Sequence, residues 1–328
     1  MMMEQPWALI VAGPTASGKS ALAMECARRI GGVVINADSM QVYDGLRILT
    51  ARPTRAEEAM VPHALYGVRD PAEAASVAWW RNAALDAMAA ARTAHLVPIL
   101  CGGTGLYLRA LREGLAPMPP IPEPVRRATR DLLAAEGPAA LHARLARADP
   151  TSAARLRPSD PQRIGRAWEV LAATGQGIAA WQAKAGEAPA PWRFAALLLD
   201  PPRDALRAAI AARWHAMLSD GAIEEVRALV ARGLDPALPA MRAHGVPELA
   251  AHLAGGMTLD AASARAILNT GQYTKRQATW FRHQSLADPG ETHRINARYA
   301  GLTQFSESES AKIFAFLQSR VDAPEPRV

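Results

Sequence analysis

A glycine-rich segment near the start of the chain carries the strongest chemical pattern. Residues 13–20 read Gly-Pro-Thr-Ala-Ser-Gly-Lys-Ser, which fits the phosphate-binding spacing G-x-x-x-x-G-K-[ST]. In such a loop the backbone N–H groups point at phosphate oxygens, Lys19 adds a positive charge, and Ser20 can ligate Mg²⁺. An apolar run precedes the segment and a helical pattern follows it, as the motif requires. We therefore predict phosphate binding here, although the motif alone specifies neither ATP nor hydrolysis.

Two carboxylates are candidates for chemistry beside that loop. Asp38 and Asp200 each follow an apolar run that predicts a strand, and parallel α/β proteins bind ligands at the carboxyl ends of their strands. Asp200 precedes two prolines, which favours a turn-forming role. Asp38 precedes Ser-Met-Gln-Val-Tyr at 39–43, so it can act as a general base and Gln41 can pair with a base edge. A helix N-cap is the alternative role for Asp38.

Apolar runs and helical patterns alternate along the chain, which predicts an α/β protein. The opening order of strand, loop, helix and strand is typical of a parallel sheet. The predicted strands are 7–12, 32–36, 96–101 and 194–199, and the predicted helical stretches are 20–30, 76–94, 125–183 and 203–286. Five prolines between 117 and 124 indicate a boundary, and a Gly/Pro-rich link at 186–191 returns the chain to a strand.

These boundaries predict a P-loop NTPase-like parallel sheet core that is interrupted by an all-helical insertion domain and completed by C-terminal helices. We assign 1–116 to the first part of the core and 117–190 to the insertion. The core completion and C-terminal helices take 191–320, and 321–328 is predicted to be a disordered tail.

The composition excludes several classes of protein. Half of the 328 residues are hydrophobic and 21% are charged, which is typical of a soluble globular chain and excludes disorder throughout. No run of 18 apolar residues predicts a membrane span, and the first residues lack the basic start of a signal peptide. Cys26 and Cys101 are too few for a disulfide scaffold, and no histidines are paired at a metal-binding spacing. These features favour the cytoplasm, and a net charge of +6 is compatible with a polyanionic partner.

Eight short segments, taken together, resemble tRNA dimethylallyltransferases (the IPP transferase family) of the bacterial type. They lie at 13–20, 38–43, 50–53, 62–63, 70–71, 102–107, 160–163 and 273–282, in the order that the family has. The pair Asp-Ser-x-Gln-x-Tyr at 38–43 and Gly-Gly-Thr-x-x-Tyr at 102–107 is specific for this family or its close relatives. The resemblance covers nearly the whole chain.

The resemblance implies transfer of a dimethylallyl group from dimethylallyl diphosphate to N6 of the adenosine 3′-adjacent to the anticodon of tRNA. The P-loop would then hold the diphosphate leaving group, with Mg²⁺ as cofactor. Asp38 would be the general base, Thr104 would lie beside the reacting groups, and Lys19 and Arg213 would act on the diphosphate. The implied diphosphate-binding residues are Gly13, Thr15, Ala16, Ser17, Gly18, Lys19 and Ser20, with Ser20 as the metal ligand.

The resemblance also implies which residues contact the anticodon stem-loop of tRNA. They are Asp38, Ser39, Met40, Gln41, Thr104, Arg126, Gln162, Arg163, Ile164, Gly165, Arg166, Arg242, Gly245, Lys275, Arg276 and Arg282. Basic residues beside Trp280 and Phe281 suit phosphate contact combined with base stacking. Purely structural roles stay open as alternatives: a helix cap for Thr104, a solvated helix face for Arg213 and the basic helices, and a core position for Trp280.

The chain departs from the family pattern at three places. Gly-Val-Pro-Glu at 245–248 lacks a usual aromatic residue and a cation, Gly271 replaces a usual arginine, and Leu49 replaces a glycine. The first two concern tRNA affinity or choice more than the chemistry, because the family uses these segments to contact tRNA.

Three other functions remain: a P-loop small-molecule kinase, a prenyltransferase for free adenine nucleotides, and an inactive RNA-binding relative. The motif at 38–43 is not expected of the kinase. The long insertion argues against the second function, and the presence of Lys19, Asp38 and Thr104 argues against the third. We expect the chain to be a monomer.

Overall fold

The computed structural model describes residues 5–301 and 307–321. Six strands occur in this part of the chain: β1 (Trp7–Ala12), β2 (Gly32–Asn36), β3 (His63–Ala64), β4 (Val97–Gly102), β5 (Arg193–Leu199) and β6 (Thr292–Ile295). The helices are α1 (Lys19–Ile30), α2 (Arg55–Met60), α3 (Val77–Thr93), α4 (Gly105–Glu113), α5 (Glu123–Ala148), α6 (Pro150–Ala153), α7 (Pro161–Thr174), α8 (Ile178–Gln182), α9 (Arg203–Ser219), α10 (Ala222–Ala231), α11 (Val246–Leu253), α12 (Leu259–His283) and α13 (Glu307–Val321). A short 3₁₀ helix spans Ala240–Arg242.

The strands form one parallel sheet in the order β3-β2-β4-β1-β5-β6. Strand β1 lies between β4 and β5, and its side chains alternate between two apolar clusters. Ile10 belongs to one cluster and Leu9 and Val11 to the other. Burial on both faces explains why the strands read as continuous apolar runs, as in other parallel sheets. Because the strands are parallel, the loops after β1, β2, β4 and β5 emerge at the same edge of the sheet.

The predicted α/β class and the four long strands are confirmed, whereas two short edge strands were missed. Strand β3 has only two residues, and β6 reads Thr-His-Arg-Ile, without an apolar run. The predicted tail starts at Val321, which is the last residue of α13, so a disordered start at that position is wrong. Residues 322–328 of that predicted tail lie outside the described residues.

The chain divides into two compact units, one with the sheet and one made by Glu113–Pro189. The sequence placed the insertion at 117–190. Within the second unit, α5 changes direction at Gly137, where φ is +79° and Pro138 follows. Helix α7 starts at a capping residue, Asp160, whose carboxylate accepts a hydrogen bond from the backbone of Arg163. Leu145, Ala153 and Ala167 form the small apolar core of this unit.

Among the helices described above, none combines the length and the apolar character needed to span a lipid bilayer.

Candidate active site

The glycine-rich loop lies between β1 and α1 and leaves the start of the helix open. Ala16 and Gly18 have φ values of +65° and +89°, so the loop uses the left-handed region twice. No side chain caps the N-terminus of α1, and its first turn has no acidic residue. The first backbone N–H groups of a helix favour an anion. This loop therefore offers an anion site at the carboxyl end of β1.

Two buried groups in the loop fit an anionic ligand. The Ser17 hydroxyl is fully buried and has no hydrogen-bond partner among the described residues. Lys19 is only 9% exposed, and burial lowers the pKa of its ammonium; Asp38 opposes this shift and Arg213 adds to it. Unsatisfied buried polar groups are costly unless a ligand completes them. Ser20 follows with an exposed side chain at the first turn of α1.

Asp38 is held rigidly just after β2. Its backbone N–H donates to Asn36 Oδ1 at 2.8 Å, and Asn36 Nδ2 donates to the carbonyl of Asp38 at 3.0 Å. Asp38 Oδ1 accepts from the backbone N–H of Met40 at 3.0 Å. Turns, and no helix, follow Asp38, so the N-cap alternative is wrong. Because Oδ1 belongs to this turn, Oδ2 is the oxygen best placed to take a proton.

Thr104 joins the ends of β2 and β4. Its hydroxyl accepts from the backbone N–H of Ser39 at 2.9 Å and donates to Ser39 Oγ at 3.3 Å. Although Thr104 directly precedes α4, its side chain bonds to Ser39 and not to its own helix, which corrects the capping alternative. Gly102 permits this approach, because a Cβ there would lie 2.1 Å from the carbonyl of Ala37.

Arg213 and Arg298 bring two further positive charges to the loop. Arg213 lies half-buried on α9, and its Nη2 donates to the carbonyl of Thr50 at 3.4 Å. Burial lowers the pKa of Arg213, Asp38 opposes this, and Arg298 adds to it, so the solvated-face alternative is wrong. Arg298 Nε donates to the carbonyl of Ala16 at 2.9 Å. Arg298 was not predicted as a site residue, because it follows strand β6, which was itself missed.

Two side chains of helix α12 contact the P-loop and the loop that contains Thr104. Gln277 Oε1 accepts from the backbone N–H and from the hydroxyl of Thr15, each at 2.9 Å. The Tyr273 hydroxyl is hydrogen-bonded to Thr104 and Gln277, and burial raises its pKa. Both donors of Thr15 are thus committed to Gln277, which corrects the expectation that Thr15 offers them to the diphosphate. Gln277 lies in the matched segment 273–282, but its spacing alone does not single it out.

The residues predicted to contact tRNA divide into exposed and buried sets within the sheet-bearing unit. Arg242, Lys275, Arg276 and Arg282 are exposed, and Ser39 and Met40 are half-exposed. Arg282 forms an ion pair with Asp200 at 3.2 Å, and Asp200 also pairs with Arg294. Asp200 therefore serves as an ion-pair partner rather than as a turn former alone. Trp280 is half-buried and packs against the core, which is the structural role given above as its alternative.

Gln41 and Gly245 are buried, contrary to a role at the surface. The amide nitrogen of Gln41 donates to the carbonyls of Thr50 and Ala51 at 2.8 and 3.0 Å. Pairing with a base edge would have to use the amide oxygen of Gln41. A Cβ on Gly245 would lie 2.7 Å from the Trp214 ring, so this residue acts in packing.

In the helical unit, one face of α7 is exposed and the other is buried. Gln162 and Arg163 are exposed and Arg166 is half-exposed. Ile164 is fully buried, and a Cβ on Gly165 would lie 2.9 Å from Leu133 of α5. Because Ile164 is buried and Gly165 packs closely on α5, the expectation that these two residues contact tRNA is wrong. Arg126 on α5 is half-buried, and its Nε has no partner among the described residues.

The departures at 245–248 and 271 fit the fold without strain. Val246 is fully buried in the core, and Pro247 lies in the first turn of α11, where a helix tolerates proline. Glu248 accepts from the backbone N–H of Gly245 at 3.2 Å, which completes the turn. Gly271 lies in α12, with no atom within 4 Å of the position of a Cβ.

Replacing Gly245 with alanine is expected to lower the free energy of unfolding by about 1–3 kcal/mol. Gly245 has a φ of +97°, and a Cβ would press on Trp214 and on Leu49. Gly271→Ala is the matched control, because alanine in a helix interior with open space is expected to stabilise by about 1 kcal/mol. Urea unfolding followed by circular dichroism measures both variants. Equal midpoints for the two variants would contradict the packing role of Gly245.

The fold and the site together define a P-loop-like α/β protein with an anion site at the start of α1 and a carboxylate in the loop after β2. A protein-family model described as IPP transferase matches residues 41–284, and one described as isopentenyl transferase matches residues 7–62. The chain belongs to the IPP transferase family, a family of transferases, and the resemblance found in the sequence is confirmed.

Relatives and solved structures agree with this assignment over nearly the whole chain. The tRNA dimethylallyltransferase of Acidiphilium cryptum is 60% identical over 94% of both chains. That of Gluconacetobacter diazotrophicus is 57% identical over 96% of this chain and 95% of its own. The crystal structure of a tRNA isopentenylpyrophosphate transferase from Bacillus halodurans superposes with a TM-score of 0.67 at 29% identity, covering 97% of each chain. A eukaryotic dimethylallyltransferase acting on tRNA gives 0.74 at 25% identity over 94% of this chain and 78% of its own.

Proposed function

We propose that this protein transfers a dimethylallyl group from dimethylallyl diphosphate to N6 of the adenosine 3′-adjacent to the anticodon of tRNA, and releases diphosphate. The observation that carries the proposal is that the P-loop after β1, with its buried Ser17 and Lys19, and Asp38 after β2 lie at the same edge of the parallel sheet. These are the groups that a displacement needs: cations for an anionic leaving group and a base for the attacking amine. The relatives are tRNA dimethylallyltransferases, and a similar solved structure is that of an enzyme acting on tRNA, which supports the same acceptor.

The P-loop acts on the leaving group. When the bond between C1 of the dimethylallyl group and the diphosphate oxygen breaks, negative charge grows on the diphosphate. Four sets of groups are in place before the substrate binds and can stabilise that charge without reorganising. They are the N–H groups at the start of α1, the Ser17 hydroxyl, Lys19 and Arg213. The loop thus serves departure of the diphosphate, and no nucleotide hydrolysis is required.

Asp38 acts on the nucleophile. As the bond from N6 to C1 forms, one N6 proton is transferred to Asp38, and the diphosphate leaves with the electron pair of the broken bond. The Asn36 amide holds the backbone of Asp38 on both sides, so the carboxylate has little freedom to swing away. Thr104 forms two hydrogen bonds with Ser39, the residue that follows Asp38, and so fixes the position of Ser39 in the loop.

Ser20 is the residue that fits Mg²⁺. Its exposed hydroxyl is a hard oxygen ligand beside the anion site, and Mg²⁺ takes most of its other ligands from substrate phosphates and water. Among the described residues no group of three or more His, Cys, Asp or Glu side chains could hold a metal, so the ion would depend on the diphosphate. When bound there, Mg²⁺ would neutralise charge on the leaving group.

The tRNA acceptor requires its adenine to leave the base stack of the anticodon loop. This costs a few kcal/mol and is easiest in a single-stranded loop. Exposed cations on α12 and, in the helical unit, on α7 would contact the phosphate backbone of the tRNA and position its anticodon loop. The proposal includes three further statements. The helical insertion binds tRNA, the protein is a monomer, and it is located in the cytoplasm.

Removing the cations Arg163, Arg166, Lys275 and Arg276 by glutamine is expected to weaken tRNA binding and to flatten its salt dependence. Each lost phosphate contact should reduce the slope of log K against log salt by about 0.7–0.9. Fluorescence titration with a labelled anticodon stem-loop at several salt concentrations measures this. Arg227→Gln on α10 is the control for the loss of one surface charge and is compared with each single substitution, because Arg227 is exposed and pairs with Glu224 of its own helix. An unchanged slope in the fourfold variant would contradict the tRNA proposal for these residues.

A transfer assay tests the function as a whole. The protein is incubated with radiolabelled dimethylallyl diphosphate, Mg²⁺ and bacterial tRNA, with separate arms that contain AMP or ATP. We expect label in tRNA alone. Label in AMP would overturn the proposed acceptor, and ATP turnover without labelled tRNA would favour the kinase alternative.

A further inference from the structure

Gln277 of α12 joins two loops that come from different strands. Its Oε1 accepts two hydrogen bonds from Thr15 of the P-loop, and its Nε2 donates to the carbonyl of Gly103 at 2.9 Å. Its side chain is 5% exposed, and a Cβ on Gly103 would lie 2.3 Å from Nε2. The side-chain amide thus uses both ends at once, and the glycine leaves it the room to do so.

The contacts continue from Gly103 to the carboxylate that serves as base. The hydroxyl of the next residue, Thr104, accepts from the backbone N–H of Ser39 and donates to Ser39 Oγ. Ser39 directly follows Asp38. A line of hydrogen bonds therefore runs from the P-loop through Gln277 and the Gly103–Thr104 loop to the residue beside the base.

The P-loop end of this line is also constrained by its own geometry. Thr15 precedes Ala16, which has a left-handed backbone, and Ser17, whose buried hydroxyl has no partner in the part of the chain that the structure describes. The bonds to Gln277 are the contacts that fix Thr15 in position, because both of its donors are directed there. Movement of Thr15 would shift the cradle that receives the diphosphate.

We propose that Gln277 is a positioning residue that sets the separation between the diphosphate cradle and the Asp38 base. The inference rests on the proposed function and deepens it. In-line displacement needs the leaving oxygen, C1 and N6 to be aligned, and a shift of about 1 Å costs on the order of 100-fold in rate. Gln277 touches neither reacting group, so its effect falls on the rate of transfer more than on tRNA binding.

Gln277→Met tests the proposal, because methionine keeps the length of the side chain and removes its hydrogen bonds to Thr15, to Gly103 and to the Tyr273 hydroxyl. We expect the single-turnover rate to fall about 10–100-fold, the Kd for inorganic pyrophosphate to rise a few-fold, and the Kd for tRNA to stay within about twofold. Gln318→Met on α13 is the matched control, since Gln318 is exposed and lies outside the segments assigned to diphosphate and tRNA. A rate equal to that of the unmodified enzyme would overturn the proposal, as would equal losses in rate and in tRNA affinity.

Thr15→Val provides a second test that leaves α12 unchanged. Valine removes the Thr15 hydroxyl but keeps the backbone N–H that also donates to Gln277. If the two residues act through one contact, the double variant should lose much less than the product of the single losses. Multiplicative losses would overturn the proposal.

If the unmodified enzyme binds pyrophosphate and tRNA but labels no tRNA, the proposed function fails and the positioning role fails with it. If the unmodified enzyme transfers normally and only these expectations fail, the positioning role alone is wrong.

Discussion

Replacing Asp38 with alanine is expected to lower the rate of transfer to tRNA by about 10²–10⁴-fold, the range that a positioned general base supplies. The exocyclic amine of adenine is a weak nucleophile, so loss of the group that takes its proton falls directly on the bond-forming step. The affinity for tRNA should change little, because the exposed cations of α7 and α12 remain. Single-turnover transfer and a separate tRNA titration measure the two effects independently.

Asp38→Asn separates the base from the shape of the loop. The amide oxygen of asparagine can still accept from the backbone N–H of Met40, as Asp38 Oδ1 does at 3.0 Å, but it cannot take the proton. We expect this variant to be as inactive as alanine while its loop stays formed. Asp200→Asn is the matched control, since Asp200 follows another strand of the same sheet and serves ion pairs with Arg282 and Arg294. Normal single-turnover transfer by Asp38→Asn would refute the base role.

The parts of the site that could be predicted are those fixed by short spacing along the chain. The P-loop needs eight consecutive residues, and Asp38 follows its strand by two positions. The parallel sheet then gathers these segments at one edge, because all of its strands point the same way. Local pattern and strand direction were therefore sufficient to place the loop and Asp38, whereas the Gly-Gly-Thr segment was predicted from the family resemblance.

The missed residues depend on contacts between distant parts of the chain. Gln277 and Thr15 are 262 positions apart, and Arg298 reaches Ala16 from a segment after a strand without an apolar run. Helical periodicity places Gln277 on the buried face of α12 with Thr274 and Phe281, but the sequence does not tell which distant loop its amide binds. Asn36 had a weak sign, because it is a polar residue at the end of an apolar strand.

The wrong assignments on α7 had a sign that could have corrected them. Ile164, Ala167 and Val170 are spaced three apart and are all buried, which is the apolar stripe of an amphipathic helix. Family resemblance carried the whole run 162–166 to tRNA without regard to helical faces. The periodicity of the helix separates Arg163 and Arg166, which reach solvent, from Ile164 and Gly165, which pack on α5.

Replacing Lys19 with methionine is expected to lower kcat/KM for dimethylallyl diphosphate by about 10²–10³-fold, comparable to loss of one preorganised donor at a developing anion. Methionine fits the buried stem and removes only the charge, so the fold should persist. Steady-state kinetics with saturating tRNA measure the effect, and Lys312→Met on the exposed surface of α13 is the control. An unchanged kcat/KM would contradict the role of Lys19 at the leaving group.

The pH dependence gives Lys19 a separate test with a definite sign. Burial lowers the pKa of its ammonium, so in the free enzyme it loses its charge at a lower pH than an ordinary lysine. The value of kcat/KM should therefore fall as the pH rises through that lowered pKa, because this parameter reports ionisations of the free enzyme. In Lys19→Arg the charge persists to higher pH, so the alkaline fall should move upward even if the maximum is reduced. An alkaline fall at the same pH in both enzymes would assign it to another group and remove Lys19 from the proposed mechanism.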